Sequence, residues 1–350
     1  MAKIRVLVVE DSLTVRKRLV AILKSDPEID VIAEAVDGKA AIELCDQYRP
    51  DVVTMDMMLP VMTGLAATEY IMAHFPTPIL IVSASTNRGE LFRTYDALAA
   101  GALDVLEKPI GDDRDDGWGS KFLATVKLVS RIKVITHLRA KLSGAPRRPP
   151  SDPVRETPAF RAIAMGASTG GPAALRQILR ALPPDFPLPI LLVMHIAEPF
   201  GAAFAEWLDG TSPLPVAFAA DGDPVPPVGQ ARVLLAPPDH HVVVRHGAVG
   251  LTRDPERHSC RPSVDILFES VADDLGPRAI GCLLTGMGRD GADGLLKMRR
   301  AGGTCLAQDE ASSVVYGMPR EAARLGAAQR VLSLDDIGGA LVRLARGAAR

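Results

Sequence analysis

Ile163-Ala164-Met165-Gly166-Ala167-Ser168-Thr169-Gly170-Gly171 is a short apolar run that ends in a serine fenced by glycines. It fits Gly-x-Ser-x-Gly through Gly166, Ser168 and Gly170. That spacing suits a serine at a sharp strand-to-helix corner, hydroxyl exposed. Small neighbours let a substrate carbonyl approach the backbone. A helix beginning near Pro172 would aim its free N–H groups at the same place. Taken alone, the pattern fits a glycine-rich turn, or a phosphate loop without the Walker lysine, as well as a nucleophile.

The chain around this corner has 350 residues, room for two domains with real cores. A formal charge of −2 leaves no basic footprint for bulk nucleic-acid binding. No apolar run approaches the ~20 residues of a membrane span. Met1-Ala2-Lys3-Ile4-Arg5 runs straight into a strand-like segment, which is not the pattern of a signal peptide. Cys45, Cys260, Cys282 and Cys305 are scattered without a Cys-x-x-Cys pair, and read as reduced thiols of a cytoplasmic protein.

Residues 1–122 alternate apolar runs with amphipathic stretches. Strands are expected at Ile4–Val9, Val31–Ala35, Val52–Met55, Ile79–Val82 and Asp104–Leu106. Helices are expected around Val15–Leu23, Ala40–Cys45, Leu65–Ala73 and Leu91–Ala100. Repeated βα units imply a parallel sheet covered on both faces, with ligands at the carboxyl ends of the strands. Residues 123–158 read as a linker: a stretch of helical spacing from Lys121 to Leu142, then Ser143-Gly144-Ala145-Pro146-Arg147-Arg148-Pro149-Pro150. A second alternation occupies 159–346, with strands at Pro189–Met194, Arg232–Ala236, His241–Val244 and Ala279–Leu284. The fold class is α/β, with two doubly wound parallel-sheet domains.

In the first half Glu10 and Asp11 follow the first strand, Asp56 the third and Lys108 the fifth. Three converging carboxylates repel one another unless a cation sits among them. Oxygen ligands in an open site favour Mg²⁺. A carboxylate beside such an ion, with a lysine to neutralise incoming charge, can accept a phosphoryl group. Ser83, ending the fourth strand, can bond that group.

This half resembles the receiver domain of two-component response regulators. The resemblance rests on Val8-Val9-Glu10-Asp11-Ser12, on Asp56-Met57-Met58-Leu59-Pro60 through Gly64, and on Ser83-Ala84 and Lys108-Pro109. It implies a flavodoxin-like domain with Asp56 as phosphoacceptor. It also implies Mg²⁺ on Glu10, Asp11, Asp56 and the Met58 carbonyl, with Lys108 and Ser83 sensing the phosphoryl group. X–Pro geometry permits a cis Lys108–Pro109 bond. Val105 stands where such receivers often carry an aromatic switch residue.

A serine nucleophile needs a base. His195 closes the apolar run Pro189–Met194, on the strand after the one leading to Ser168. His240, His241, His246 and His258 fit surface or structural roles better. The base needs an orienting acid. Asp290 lies in Leu284-Thr285-Gly286-Met287-Gly288-Arg289-Asp290-Gly291, another glycine-rich corner whose N–H groups can form an oxyanion hole. Asp290 also suits a helix N-cap. Cys260 is a rival nucleophile without a strand-end context, ranked behind Ser168.

The second half resembles the catalytic domain of the chemotaxis protein-glutamate methylesterases, over roughly residues 159–346. The matching motifs are Gly166–Pro172, His195, Ala236-Pro237, Arg261–Asp265, Thr285–Gly291, Ala307–Asp309 and Tyr316–Pro319. The resemblance implies a Rossmann-like α/β esterase domain, with Ser168 as nucleophile, His195 as general base and acid, and Asp290 as its orienter. Thr169 would lie beside the nucleophile, the Met287 N–H would serve the oxyanion hole, and Arg261 would line the mouth. Met194 replaces the family's usual glutamine, and Ile196-Ala197-Glu198-Pro199 its Met-Pro.

The expectation is a cytoplasmic, phosphorylation-gated serine hydrolase of chemosensory adaptation. Its implied substrates are glutamate methyl esters, and specific glutamines, of methyl-accepting chemoreceptors. A sensor histidine kinase is the implied phosphodonor. No cofactor is expected for the esterase reaction, no nucleic-acid partner, and only peripheral contact with membrane-bound receptors. A phosphorylation-dependent binding protein without turnover is the rival class. A transcriptional regulator fits less well, since no helix-turn-helix output follows the receiver.

Overall fold

A computed structural model describes residues 3–84, 88–108, 117–132, 160–196 and 198–347. The first unit runs β1 (Ile4–Val9), α1 (Leu13–Lys24), β2 (Ile29–Ala35), α2 (Gly38–Tyr48), β3 (Val52–Met55) and α3 (Gly64–His74). It continues with β4 (Ile79–Ser83), α4 (Arg88–Ala99), β5 (Asp104–Glu107) and α5 (Trp118–Val129). Its sheet is parallel, in the order β2-β1-β3-β4-β5. Strands covered on both faces read as continuous apolar runs, and β3 and β4 are buried at every position. The order reverses between β1 and β3, which brings Glu10, Asp11 and Asp56 to one crevice.

The expected boundary at 122 falls inside α5. Phe122, Val126 and Val129 are buried in the same core as Val6, Val8 and Leu80, so the receiver's packing continues to Val129. Most of the expected linker, and Pro109 with its peptide bond, lie outside the described residues.

The second unit runs β6 (Ala162–Ala167), α6 (Gly171–Arg180), β7 (Ile190–Met194), α7 (Glu198–Thr211), β8 (Val216–Phe218), β9 (Val233–Leu235), β10 (His241–Arg245) and β11 (Ala248–Thr252). Then come α8 (Val264–Leu275), β12 (Ala279–Leu283), α9 (Ala292–Arg300), β13 (Thr304–Gln308), α10 (Met318–Arg324), β14 (Arg330–Leu332) and α11 (Leu334–Ala345). The main sheet is parallel, ordered β14-β13-β12-β6-β7-β9-β8. The run at His241 is not part of it: β10 pairs antiparallel with β11 in a separate two-stranded sheet. Both units are thus doubly wound, as expected.

Register sets the site. Ala167 pairs with Met194, and Gly166 with Leu283. Ser168, His195 and the β12–α9 corner therefore leave three adjacent strands on the same edge, where the strand order switches.

The two units pack through α4 of the first and α6 and α7 of the second. Tyr95, fully buried, has its ring 5.3 Å from Phe204 and 5.5 Å from Trp207. Its hydroxyl donates to the Phe200 carbonyl at 2.5 Å, and Trp207 Nε1 donates to Asp96 Oδ1 at 2.9 Å. Arg176 lies over the Trp207 ring at 5.8 Å. Aromatic pairs of this kind add about 0.5–1.5 kcal/mol beyond their burial.

Candidate active site

The Ser168 corner is held from both sides. The Ser168 N–H donates to the Thr285 carbonyl (3.0 Å), the Gly171 N–H to the Ser168 carbonyl (2.6 Å), and Thr285 Oγ1 to the Thr169 carbonyl (2.9 Å). Gly170, at φ +80°, makes the turn into α6. The glycines serve packing more than substrate approach. A Cβ on Gly166 would sit 2.2 Å from Val264, one on Gly170 2.5 Å from Val314, and one on Gly171 2.6 Å from Met194 Sδ. On Gly286 it would lie 2.7 Å from Ser168 Cβ, so the second glycine-rich corner is what lets the serine in.

The His195 N–H bonds the Ala167 carbonyl at 3.1 Å, tying the two strand ends together. Its ring Nε2 meets Asp290 Oδ2 at 2.9 Å. Asp290 is held as a carboxylate and can only accept, so Nε2 is assigned as the donor and Nδ1 as the nitrogen left to exchange a proton. Nδ1 faces Cys260 Sγ at 3.8 Å. Ser168 Oγ makes no hydrogen bond among the described residues; it lines the cavity that His195 also lines.

Asp290 does not cap its own helix, whose N-cap is Gly291. It sits at the N-terminus of α8 instead. It accepts from Ser263 Oγ (2.7 Å), the Val264 N–H (2.7 Å) and the Asp265 N–H (3.2 Å). Burial works against its charge, but His195, Ser263 and the Val264 N–H outweigh it and hold the carboxyl below its usual range. Burial likewise disfavours the imidazolium, yet the bonds to Asp290 and Cys260 raise His195 to about 9. His241 is fully buried and satisfied: Nδ1 accepts from the Ser263 N–H at 3.1 Å and Nε2 faces the Pro255 carbonyl at 3.3 Å.

The cavity, about 340 Å³, is bounded on one wall by Ser168, Thr169, His195, Cys260 and Arg261, and on the other by receiver residues including Leu98, Asp104, Val105 and Lys121. Arg261 is anchored by Asp239 at 2.6 Å. Met287 is outside this lining and is 52% exposed. Among the described residues, neither the Thr169 nor the Met287 N–H donates a hydrogen bond. The front of the site is roofed by β5 and the helices beside it.

Residues 163–341 match the CheB methylesterase family, and residues 6–115 the response regulator receiver domain. A protein-glutamate methylesterase/protein-glutamine glutaminase of Nitrosospira multiformis is 46% identical over 351 residues, covering 97% of each chain. The chain belongs to this methylesterase/glutaminase family. A second member, from Anaeromyxobacter dehalogenans, is 45% identical over 98% of this chain and 97% of its own. The CheB methylesterase catalytic domain of Thermotoga maritima is 36% identical, with a TM-score of 0.50, over 53% of this chain and 98% of that one.

In this methylesterase-family chain the receiver's acids converge as expected. Ligand oxygens of Glu10, Asp11 and Asp56 lie within 4.8 Å of one another. Lys108 Nζ is 2.9 Å from Glu10 Oε2 and 2.9 Å from Asp56 Oδ2. Asp56 Oδ1 is buried without a hydrogen-bond partner, an acceptor that a cation would satisfy, so the donor set fits Mg²⁺. Burial raises the Glu10 carboxyl, the Asp56 charge adds to this, and Lys108 opposes both. Ser83 Oγ donates to Glu90 Oε1 at 2.5 Å, on the first turn of α4. No helix of the described residues is long and apolar enough to cross a membrane.

Sequence reasoning missed Ser263 and the Val264 N–H as partners of Asp290, and it missed Cys260 at the base. Ser263 carries a signal: it is an N-cap serine before an apolar helical run, and its hydroxyl accepts from the Ile266 N–H at 3.4 Å. Gln308 Oε1 accepts from the Thr285 N–H at 2.9 Å and steadies the second glycine-rich corner.

Proposed function

We propose that the chain is a phosphorylation-activated serine hydrolase that removes methyl esters from glutamates, and deamidates particular glutamines, of chemoreceptors in sensory adaptation. One observation carries this reading: Ser168 and His195 line a single cavity roofed by the receiver, with Asp290 bonded to the imidazole behind it. Ser168 Oγ attacks the γ-carbonyl, and His195 Nδ1, the nitrogen not engaged by Asp290, takes its proton. The Thr169 and Met287 N–H groups meet the oxyanion. His195 returns the proton to departing methanol, or to ammonia from glutamine. It then activates the water that frees the acyl-enzyme.

In the receiver, Asp56 accepts a phosphoryl group from a sensor histidine kinase. Mg²⁺ on Glu10, Asp11, Asp56 and the Met58 carbonyl would neutralise charge there. Lys108 pairs with the phosphoryl group. Ser83 leaves Glu90 to bond the same group, which changes the hydrogen bonding at the first turn of α4. Because α4 carries Tyr95 and Asp96, its movement loosens the contact with α7 and uncovers Ser168. The work is done in the cytoplasm, on receptor helices presented there.

The test is methanol release from methylated receptor membranes. Ser168→Ala should abolish it; unchanged release removes Ser168 from the mechanism. Asp56→Asn should keep basal release and gain nothing from a phosphodonor. Equal stimulation of mutant and wild type removes Asp56 as the switch.

A further inference from the structure

We infer that Cys260 and His195 form a binding site for Zn²⁺ that shuts the esterase off. Metal binding stands on geometry alone; its inhibitory consequence rests on the triad reading above.

The imidazole has two nitrogens, and they are committed differently. Nε2 is held by Asp290 at 2.9 Å, and Nδ1 faces Cys260 Sγ at 3.8 Å. Tetrahedral Zn²⁺, with Zn–S of about 2.3 Å and Zn–N of about 2.0–2.1 Å, places its sulfur and nitrogen roughly 3.6 Å apart. The observed pair is already close to that separation. A metal-bound histidine commonly gives its second nitrogen to a carboxylate, which fixes the ring and raises its basicity. Asp290 does this here, and its own carboxylate is fixed by Ser263 and the start of α8. The cavity beside the pair has room for water to complete the coordination, and Ser168 lines the same cavity.

Three side-chain groups among the described residues bring metal-binding atoms within 4.8 Å. The cluster of Glu10, Asp11 and Asp56 is all oxygen and suits hard Mg²⁺. The cluster of His258, Asp265 and Asp290 has its carboxylates engaged by backbone N–H groups, including Gly294 to Asp265 at 2.6 Å. Only the group at His195 offers a thiol, and thiolate with imidazole selects Zn²⁺ over Mg²⁺. Cys45, Cys282 and Cys305 are buried and do not compete. The two ions therefore sort by donor type: Mg²⁺ to the receiver, Zn²⁺ to the esterase.

Inhibition follows from which nitrogen is taken. Zn²⁺ on Nδ1 occupies the lone pair that must accept the Ser168 proton, so turnover stops while the metal stays. Binding displaces the thiol proton and the proton carried by Nδ1 in the imidazolium form, and forms Zn–S and Zn–N bonds with no redox step.

The test uses the full chain with Mg²⁺ present, a phosphine reductant, and buffered free Zn²⁺. Co²⁺ serves as the spectroscopic probe. Wild type should bind one Co²⁺ with a thiolate charge-transfer band and tetrahedral visible bands, and Zn²⁺ should displace it. Cys260→Ala should lose the charge-transfer band. Methanol release should fall with Zn²⁺ in the wild type and recover with a chelator. With each protein normalised to its own metal-free rate, Cys260→Ala should need at least roughly tenfold more Zn²⁺ for the same fractional loss. Ser168→Ala should keep the band and lose hydrolysis. Absence of the band in wild type, or equal Zn²⁺ sensitivity of wild type and Cys260→Ala, overturns the site. If Ser168→Ala keeps both the band and hydrolysis, the triad reading and the inhibitory consequence fall, but metal binding survives.

Discussion

Removing one oxygen at the domain contact should switch the esterase partly on. Tyr95→Phe deletes the hydroxyl that donates to the Phe200 carbonyl at 2.5 Å, and keeps the ring against Phe204 and Trp207. Phe200 lies in the first turn of α7, so its carbonyl keeps a helical acceptor role and is not stranded. The loss is therefore that of one buried neutral hydrogen bond, about 1 kcal/mol, and not the larger cost of an orphaned acceptor. On the proposed gating only the closed arrangement contains this bond, so the closed-to-open ratio should fall about fivefold. With the open form in the minority, basal methanol release should rise by the same factor. The fully phosphorylated rate should hardly change, since the bond is already broken there. The assay is release from methylated receptor membranes with and without a small-molecule phosphodonor, alongside thermal unfolding to confirm a native fold. A folded Tyr95→Phe protein with wild-type basal activity would refute the roofing argument. So would an equal rise in the basal and phosphorylated states, which would place the effect in chemistry and not in access.

Three other perturbations have defined outcomes. Asp290→Asn should lower kcat on the order of 10³–10⁴-fold, because the imidazole loses the acceptor that sets its tautomer; steady-state kinetics checks this, and a change under tenfold would contradict it. Gly286→Ala drives a methyl to 2.3 Å from Met318 Sδ and 2.7 Å from Ser168 Cβ, and should cost about 1–3 kcal/mol in urea unfolding while displacing the serine; full activity would show that the corner yields. Burial raises the Asp104 carboxyl to about 6, with the Val105 N–H and Lys121 opposing. A folded pKa above the ordinary 3.8 means the fold favours the protonated form, so stability present below about pH 4 is lost as pH rises through about 6. After allowance for its partial exposure to the cavity, Asp104→Asn should be about 1–2 kcal/mol more stable than wild type at pH 7.5 and equal to it near pH 4. A pH-independent difference would contradict that.

The strand-end residues were legible because periodicity does the work. Apolar runs of the right length place Glu10, Asp56, Ser168 and His195 at carboxyl strand ends, and parallel topology gathers those ends. Asp290 was legible as part of a glycine-rich corner, but its attachment was not. It bonds α8 across 26 residues of sequence, and no local pattern reports a partner on another helix. Cys260 was discounted for want of a strand, yet an irregular loop brings it to the histidine. Loops carry no period, so their reach is invisible in a single sequence. Tyr95 and Trp207 look like ordinary apolar helix positions. Their bonds span 105 and 111 residues, and only the docking of two complete domains reveals them.

Val314 shows what the contact between domains does beyond covering the serine. Its side chain packs against the receiver core and also rests where a Gly170 side chain would be, at the turn that presents Ser168. One methyl-bearing residue thus bears on both the regulator and the curvature of the loop holding the nucleophile. A receiver that moves takes away a backstop as well as a roof. On the proposed gating, the signal would reach catalysis along two routes: substrate entry, read in KM, and the alignment of the attacking oxygen, read in kcat.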